Sequence, residues 1–304
     1  MTQPPLVLLT GATGYVGGLL LPLLEQQAAT VRCLARSPDK IRRSRENTQV
    51  VRGDVLDAAS LDEALKGVDT AYYLVHLMSG SKDFESDDRR AASNFAAAAA
   101  KAGVKRIIYL GGLGDDADPR LSPHLRSRHE VGDVLRASGI ETVEFRAGMV
   151  VGAGSLSYQL LKSLTDRLPV MLCPKWLATP TQPIAVDDVL AYLIEAAELP
   201  VGENRIFEIG CPDVVTYSDL IRAYAKLKKL HRLLIFVPVL TPYLSGLWLA
   251  LVTPAGFEVG RHLIEGLKNP TVVRDDAALK AFKVRPMHVV EAIKKAIELE
   301  EQST

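Results

Sequence analysis

The chain has 304 residues, 48% of them hydrophobic, and its 36 basic and 36 acidic residues cancel to a formal net charge of zero. This length and composition exclude a disordered chain and predict a globular protein with a large core. The neutral balance argues against a nucleic-acid-binding protein, because such a protein presents a strongly basic face.

Three widely separated cysteines, Cys33, Cys173 and Cys211, show no Cys-x-x-Cys spacing. A scattered, odd-numbered set argues against a disulfide framework and a zinc site, and it favours a reduced, cytoplasmic location. The histidines show no metal-ligand spacing with one another, so we predict that the protein holds no metal.

Short apolar runs alternate with helical stretches through the first half of the chain. We predict strands at residues 6–9, 31–35, 48–53, 71–75, 106–110 and 142–146. Between them, Ser60 and Glu63 have the spacing of a capping box, and Gly103 follows an alanine-rich run as a helix stop. The alternation predicts an α/β fold with a doubly wound parallel (Rossmann) sheet, whose ligands bind at the carboxyl ends of the strands.

A glycine-rich turn follows the first predicted strand and opens an apolar helix. Glycines at such a junction permit a tight turn and a close approach of the backbone to a pyrophosphate, while the helix N-terminus offers N–H groups to the phosphate oxygens. The alternative is a merely structural turn, but the strand–turn–helix context favours dinucleotide binding. The candidate binding residues are Gly11, Thr13, Gly14, Tyr15, Val16 and Gly17.

Arg36 stands directly after the second predicted strand, where an acidic residue would select NAD(H). A guanidinium suits the 2′-phosphate of NADP(H), so we expect NADP(H) to be preferred over NAD(H). The later arginines, Arg42, Arg43 and Arg45, are interpreted as a solvated helix face.

Three further residues at strand ends complete the candidate cofactor site. Asp54 follows the third strand and either meets the adenine amino group or only caps a turn; Val55 adjoins it. His76 follows the fourth strand and either borders the nicotinamide or holds its loop in place.

Several segments together resemble the atypical short-chain dehydrogenase/reductases, specifically the NmrA-like and NAD(P)H-binding group. They are "TGATGYVG", "LARSPDK", "GDVLD", "AGVKRIIYLGGLG" and "SGIETVEFRAGMVVGAGS". The resemblance is strong over about residues 5–155 and softer beyond. Because members of this group range from active reductases to redox-sensing regulators and accessory subunits, the resemblance implies the cofactor more firmly than a reaction.

The resemblance also implies a catalytic Ser, Tyr and Lys, and this chain lacks all three. Gly111 and Gly112 stand in the serine position, and His124 and Arg128 stand in the Tyr and Lys positions, four residues apart on one helix face. For His124 we leave three interpretations open: catalysis, contact with cofactor or ligand only, and an ordinary surface position. The neighbouring cation and helix N-terminus both favour its neutral form, which weakens it as a proton donor.

A Tyr-x-x-x-Lys spacing occurs twice later in the chain, at Tyr158 with Lys162 and at Tyr224 with Lys228. Both pairs follow the sixth strand, whereas the catalytic pair of the resembled group precedes it. We expect Tyr224 to belong to a basic helical surface. Tyr158, with Gly112 and Met149, is expected to line the substrate pocket.

The rhythm of the sequence changes after residue 150, with four prolines between residues 168 and 184 and one clear late strand, "NRIFEIG". We predict an NADP(H)-binding domain over residues 1–150, completed by about 183–210. Residues 151–182 and 211–304 are expected to form a smaller, mostly helical substrate or partner lobe.

Residues 233–257 carry no formal charge over 25 positions. That length could cross a bilayer, but Pro238, Pro242 and Gly246 interrupt it, so a spanning helix is disfavoured. Two interpretations stay open: a buried wall of the substrate lobe, and an interfacial element whose preceding "KLKKLHR" meets lipid headgroups. Either predicts a small apolar ligand, and the second predicts peripheral membrane contact.

Two functions compete at this point. The leading hypothesis is an NADPH-dependent reductase of an apolar carbonyl or quinone-like compound that works without the usual Ser, Tyr and Lys. The alternative is a non-catalytic NADP(H)-binding sensor, regulator or accessory protein, so whether the chain is an enzyme stays open.

Overall fold

The computed structural model describes residues 5–27, 30–41, 45, 48–77, 83–237 and 266–302. The chain divides into two compact units. The first comprises Met1–Gly112, Ser127–Arg146 and Leu190–Phe207, and the second comprises Leu113–Arg126, Ala147–Val189 and Glu208–Thr304.

The secondary-structure elements follow one another in an α/β alternation through the first half of the chain. They are β1 Leu6–Thr10, α1 Tyr15–Gln26, β2 Thr30–Ala35, β3 Gln49–Arg52, α2 Ala58–Leu65, β4 Thr70–Tyr73, α3 Phe84–Ala102, β5 Arg106–Gly112, α4 Pro123–Arg136 and β6 Glu141–Ala147. The later elements are β7 Val150–Val151, α5 Leu156–Arg167, β8 Val170–Cys173, β9 Pro180–Thr181, β10 Ile184–Ala185, α6 Val186–Glu198, β11 Arg205–Ile209, β12 Val215–Thr216, α7 Tyr217–Leu227, β13 Leu233–Phe236, α8 Ala277–Ala281 and α9 Val289–Gln302.

Seven strands form one sheet in the order β11-β6-β5-β4-β1-β2-β3. Strands β1 to β5 pair in parallel with their neighbours. Leu9 of β1 lies opposite both Cys33 of β2 and Tyr72 of β4. This sheet confirms the doubly wound α/β fold and all six predicted strands. The strand order reverses between β1 and β4, and in such sheets ligands bind in the crevice outside the carboxyl ends at that point.

Local signals explain where the helices begin and end. Gly103 takes a left-handed conformation (φ 75°) after α3, which confirms the predicted helix stop. The predicted capping box of Ser60 and Glu63 is wrong, because α2 begins earlier and its N-cap is Asp57, whose side chain accepts from the Ala59 N–H (3.2 Å). Ser60 lies inside the helix instead, and its hydroxyl donates to the Asp57 carbonyl (2.8 Å).

The core of the first unit lies between its sheet and helices α2 to α4. Tyr73 of β4 packs its ring 4.9 Å from Phe95 of α3 and 6.1 Å from Tyr109 of β5, measured between ring centroids. The alanines of α3 are small enough to bring the helix close to the strands, and Ala91, Ala92 and Ala99 are completely buried. These contacts fix the ends of β4 and β5, which carry candidate site residues.

Buried ion pairs add charge to this core. The carboxylate of Glu144 is fully buried and pairs with the guanidinium groups of Arg136 and Arg146, the latter at 2.7 Å. Glu141 accepts from Arg106 (2.8 Å) and from Arg205 (2.7 Å). Because each buried carboxylate pairs with two guanidinium groups, removing the carboxylate leaves both of these cations without their buried partner.

The second unit has its own hydrophobic core, built from α5, α7, α9 and the short strands. Tyr158 of α5 and Tyr224 of α7 are both buried there, with ring centroids 6.2 Å apart. The prediction that Tyr224 belongs to a basic surface is therefore wrong. Its hydroxyl donates to Asp166 (3.1 Å), whereas Lys226 and Lys229 beside it are exposed.

Strand β13 forms the first four residues of the apolar stretch 233–257 and pairs in parallel with β8. This two-stranded ribbon exposes five large apolar side chains: Val170, Leu172, Leu233, Ile235 and Phe236. Residues 238–257 of the stretch lie outside the described residues. Within the described ranges, no helix combines the length and apolar character that crossing a bilayer requires.

Candidate functional site

The glycine turn after β1 is a tight backbone cradle. Gly11 adopts φ +73°, and a Cβ atom there would lie 2.6 Å from the carbonyl oxygen of Leu74. A Cβ atom on Gly17 would lie 2.3 Å from the carbonyl oxygen of Gly11, and the Gly14 N–H donates to that same oxygen (2.9 Å). The turn can close only because these positions lack side chains.

Helix α1 starts in this cradle with its N-terminal N–H groups available to a ligand. Its N-cap is Gly14, no side chain caps it, and its first turn contains no acidic residue. Thr13 and Gly14 are exposed, while Tyr15 and Val16 are half-buried. A pyrophosphate fits such a site, because phosphate oxygens accept from the first N–H groups of a helix and no carboxylate competes with them.

Arg36 directly follows β2 and its side chain is exposed. It therefore stands at the carboxyl edge of the strand next to β1, where the adenosine ribose of a dinucleotide binds in this fold. Of the later arginines, Arg45 is exposed, and Arg42 and Arg43 lie outside the described residues.

Asp54 and Val55 follow β3 in a closed turn. Asp54 Oδ1 accepts from the Leu56 N–H (3.0 Å), so one carboxylate oxygen is used to cap the turn. Val55 is buried in the core, and its carbonyl accepts from the Asn94 side chain (3.2 Å). Contact with the adenine stays a prediction for both residues.

Thr10, which sequence reasoning missed, ties the end of β1 to the end of β4. Its hydroxyl donates to the Tyr72 carbonyl (2.9 Å) and accepts from the Leu74 N–H (3.1 Å). The residue is completely buried. The hydroxyl therefore holds the two strands together at the point where the glycine turn packs against Leu74.

His76, just beyond β4, belongs to a polar cluster that the sequence did not reveal. Its Nδ1 lies 3.0 Å from Oδ2 of Asp88 on α3, and that oxygen also accepts from the Ser127 hydroxyl on α4 (2.8 Å). The other oxygen, Oδ1, accepts from the Leu77 N–H (3.0 Å). Asp88 is 3% exposed. No sequence spacing links these residues, since the fold alone brings three elements together.

Charge and burial set the protonation of this cluster. Burial lowers the pKa of His76 below its ordinary value, and the nearby Arg128 acts in the same direction, although the hydrogen bond to Asp88 opposes both. Burial acts to raise the pKa of Asp88, but its hydrogen bonds with His76, Ser127 and Leu77 outweigh burial and lower it. Asp88 is therefore a charged carboxylate in the folded protein at neutral pH.

The end of β5 holds the position of the absent serine, and Arg128 of α4, in the position of the absent lysine, contacts this strand. A Cβ atom on Gly111 would lie 3.1 Å from the Tyr109 ring and 3.3 Å from Glu144 Oε1, so a side chain there is crowded. Arg128 donates to the Leu110 carbonyl, and its guanidinium carbon lies 5.1 Å from the centroid of the Tyr109 ring. The arginine thus binds the strand itself.

Gly112 also contacts α4, because its carbonyl oxygen lies 2.9 Å from Nε2 of the buried His129. Both glycines at the end of β5 are buried. The end of β5 is therefore packed against the part of α4 that belongs to the first unit.

Three candidate residues lie in the second unit. His124 is half-buried in the first turn of α4, which begins after Ser122, whose hydroxyl accepts from the Leu125 N–H (3.3 Å). Met149 is half-buried and its carbonyl accepts from the Ile184 N–H (2.9 Å). Tyr158 is completely buried. Their roles stay predictions.

The second unit also contains a cavity of about 440 Å³ that sequence reasoning missed. Asp115, Arg120, Asn269 and Arg274 are among the residues that line it. Arg274 pairs with Asp115 (2.9 Å) and donates to Glu208 (2.8 Å), so its charge is balanced. Among the residues that the structure describes, no group of His, Cys, Asp and Glu side chains is arranged to hold a metal ion.

Comparison with known proteins agrees with the geometry of the first unit. The family model described as NAD(P)H-binding matches residues 11–167, which include the glycine turn, Arg36 and the His76 cluster. The chain belongs to the NAD(P)H-binding family. Membership confirms the resemblance predicted from the sequence, and the matched range begins at Gly11 of the glycine turn.

Two relatives extend this match over more of the chain. A (4-alkanoyl-5-oxo-2,5-dihydrofuran-3-yl)methyl phosphate reductase from Streptomyces griseus is 34% identical over 70% of this chain and 71% of its own length. A ceramide reductase from Caulobacter vibrioides is 28% identical over 84% of this chain and 82% of its own length.

Solved structures share the fold. The Citrobacter sp. triphenylmethane reductase complexed with NADP(H) superposes with a TM-score of 0.75 over 95% of this chain and 99% of its own, at 18% sequence identity. A nucleoside-diphosphate-sugar epimerase from Staphylococcus aureus gives a TM-score of 0.74 over 95% of this chain and 99% of its own, at 16% identity. At these identities the likeness establishes the fold alone.

Proposed function

We propose that this protein is an NADPH-dependent reductase of an apolar carbonyl or quinone-like compound. The observation that carries the proposal is the cradle at Gly11 and Gly17, with an uncapped helix behind it and the exposed Arg36 at the next strand end. The cradle suits a pyrophosphate, and a guanidinium suits a 2′-phosphate better than a free hydroxyl.

The names of two relatives support the proposal that this chain is a reductase. Both the 34% identical Streptomyces protein and the 28% identical Caulobacter protein are reductases. Their substrates differ from each other, so they favour the reaction class for this chain and not a particular compound.

In the proposed reaction, a bound reduced nicotinamide supplies a hydride to the substrate. The glycine turn and α1 hold the pyrophosphate, Arg36 holds the 2′-phosphate, and Asp54 faces the adenine. Residues 1–150, completed by about 183–210, form the nucleotide-binding part, and residues 151–182 and 211–304 form the substrate lobe. Within the second unit, His124, Met149 and Tyr158 are the proposed contacts of the apolar substrate.

A non-catalytic NADP(H) sensor or accessory protein is the second candidate. Two observations favour it: Gly111 offers no hydroxyl and has little room for one, and Arg128 is bound to the Leu110 carbonyl of its own sheet. Neither residue supplies the proton that reduction of a carbonyl needs, because an arginine keeps its proton in proteins.

The location proposed for the protein is the cytoplasm, with peripheral membrane contact through residues 233–257. The apolar side chains that β8 and β13 expose support this contact, since exposed apolar patches mark surfaces that bind membranes or partners. If the protein does not pellet with anionic liposomes at low salt, the proposed membrane contact is wrong.

The test is oxidation of NADPH by the purified protein with a panel of quinones and aromatic or long-chain aldehydes. We expect substrate-dependent loss of absorbance at the nicotinamide band with at least one apolar compound. Tight NADPH binding without turnover by any of them would instead support the sensor. No NADPH binding at all would refute both candidates.

A further inference from the structure

A basic cavity adjoins the apolar ribbon of β8 and β13 in the second unit. We propose that the two together dock on a bilayer that contains anionic phospholipids, with a lipid phosphate bound in the cavity by Arg222, Lys226 and His231. This inference rests on the membrane contact proposed for residues 233–257. It adds the lipid charge that the protein recognises and the side chains that bind it.

The basic cavity has a volume of about 460 Å³, within the size range of sites for small ligands. Arg222, Lys226, His231 and Arg232 line it, and none of the described lining residues is acidic. Lys226 and His231 are exposed, and neither side chain forms an ion pair with another described residue. A phosphate complements such a set, because its oxygens accept from ammonium, guanidinium and imidazole N–H groups.

The two arginines add positive charge to the cavity. Arg232 is held by main-chain carbonyl groups, since its guanidinium donates to those of Asp166 (3.0 Å) and His231 (2.9 Å). Arg222 pairs with Asp219 at 3.0 Å, but the two side chains are 53% and 48% exposed. An ion pair this exposed is weak, so the guanidinium can turn to a stronger acceptor. The cavity is therefore positive although the whole chain is neutral.

A further exposed cation, Lys229, stands at the end of α7 in an unusual backbone conformation. Its φ is 55°, its N–H donates to the Lys226 carbonyl (3.1 Å), and the Leu230 N–H donates to the Ala225 carbonyl (2.8 Å). Glycine is the residue that takes this left-handed conformation without strain at a helix end. The chain thus carries a charged side chain, directly before the cavity residue Leu230, where glycine would be more stable.

The apolar ribbon is continuous with the basic cavity, because Leu233 and Leu234 of β13 also line the cavity. Met171 and Cys173, which alternate with the outward side chains of β8, are completely buried. The register of the two strands puts four side chains on the outer face, each 42–57% exposed: Val170, Leu172, Leu233 and Ile235. A strand with one face in the core normally presents polar side chains on the other, so this outer face is that of a docking surface.

Charge and apolar area together fit a bilayer, in which phosphate groups lie directly above acyl chains. Cations bind the anionic headgroups, and apolar side chains beside them enter the boundary below. Within the described residues the ribbon has only two strands, so its outer edges carry unpaired backbone groups, which the hydrocarbon core excludes. The ribbon therefore lies at headgroup level and only its side chains enter the acyl region.

The experiment measures cosedimentation of the whole chain with vesicles of phosphatidylcholine alone and of phosphatidylcholine mixed with phosphatidylglycerol. The wild type should bind the anionic vesicles more tightly, and high salt should remove the difference by screening. Lys226→Gln should weaken binding to the anionic vesicles about fivefold and leave binding to the neutral vesicles unchanged. The matched control is Lys66→Gln, an exposed lysine of the first unit, which should bind like the wild type.

Two more variants separate docking from structural roles. Lys229→Gly should raise the melting temperature, because it relieves the left-handed strain, and yet weaken binding to anionic vesicles about fivefold. Ile235→Ser should weaken binding to both kinds of vesicle about tenfold without lowering the melting temperature. Its control is Val201→Ser in the first unit, 71% exposed, which should change neither quantity.

The outcomes distinguish the headgroup site from the membrane contact. Equal binding of the wild type to both kinds of vesicle, or unchanged binding by Lys226→Gln and Lys229→Gly, overturns the headgroup site and leaves the membrane contact standing. Absence of binding to every vesicle overturns the membrane contact as well, whereas the reductase function is tested separately by NADPH oxidation.

Two other occupants would also overturn the docking surface. If Ile235→Ser lowers the melting temperature and leaves vesicle binding unchanged, the ribbon is covered by another part of the chain. If inorganic phosphate binds in calorimetry and Lys226→Gln abolishes that binding while vesicles are ignored, the cavity takes a free phosphate instead of a lipid.

Discussion

Glycines stand at the carboxyl ends of both β1 and β5, but they meet very different surroundings. At β1, Cβ atoms added to Gly11 and Gly17 would lie 2.6 Å and 2.3 Å from backbone carbonyl oxygens. The turn leads into helix α1, which has no side-chain cap. At β5, a Cβ atom on Gly111 would meet the Tyr109 ring at 3.1 Å and the Glu144 carboxylate at 3.3 Å. The first set creates a ligand cradle, and the second is packed against the protein's own core.

The two strand ends therefore differ in what they can offer a ligand. The end of β1 presents a tight glycine turn and a helix N-terminus that suit a pyrophosphate, whereas Gly111 and Gly112 at the end of β5 carry no hydroxyl. His76 follows the end of β4 and is held by Asp88 of α3, with 3.0 Å between Nδ1 and Oδ2.

The largest effect is expected from Glu144→Gln, which tests whether the buried ion pairs of Glu144 stabilise the packing at the end of β5. The change leaves Arg136 and Arg146 without their buried carboxylate, and we expect the free energy of unfolding to fall by ~3–5 kcal/mol. Urea denaturation measures this. Glu130→Gln is the control, because its partner Arg89 is 56% exposed and such a pair contributes at most ~1 kcal/mol. Equal losses in the two variants would contradict the account.

Gly17→Ala tests the cradle at the end of β1. The new methyl group would lie 2.3 Å from the Gly11 carbonyl oxygen, so the backbone must move, at a cost of about 3 kcal/mol and with loss of NADPH binding. At the adjacent Gly18 the nearest atom would be 3.5 Å away, an ordinary contact. Gly18→Ala should therefore retain binding and gain up to ~1 kcal/mol from helix propensity. Thermal unfolding and nucleotide fluorescence measure both, and similar behaviour of the two variants would refute the cradle.

The smallest effect is expected from Gly111→Ser, which restores a hydroxyl at the serine position. Crowding by Tyr109 and Glu144 should cost ~1–2 kcal/mol, and the rate of NADPH oxidation should not increase. Gly202→Ser, where the nearest atom is 3.9 Å away, should change stability by less than ~0.5 kcal/mol. An increase in rate for Gly111→Ser would show that β5 can still supply the carbonyl-holding group.

The fold and the cradle could be predicted because their signals are local. Apolar runs, the helix stop at Gly103 and the glycine turn each lie within a few consecutive residues, and the structure places the strands and the turn where these signals indicate. The capping prediction at Ser60 was wrong for a related reason: Asp57 offered an equally local cap three residues earlier.

The polar cluster could not be predicted, because it depends on tertiary structure. His76, Asp88 and Ser127 come from a loop, α3 and α4, and 39 residues separate the last two. Burial of Tyr224 was missed for the same reason, since its neighbouring lysines suggested a surface although α7 packs its tyrosine against α5. A spacing rule records only neighbours along the chain, whereas these contacts depend on how sheets and helices pack.

Titration of the protein with NADPH, comparing wild type with Arg36→Asp and Arg45→Asp, tests the central claim most directly. Charge-assisted hydrogen bonds contribute ~1.5–3 kcal/mol, so the account predicts that Arg36→Asp weakens NADPH about 10- to 100-fold and leaves NADH little changed. Arg45→Asp, an exposed arginine outside the cradle, should bind NADPH like the wild type. An unchanged NADPH dissociation constant in Arg36→Asp would contradict the assignment of the cofactor site.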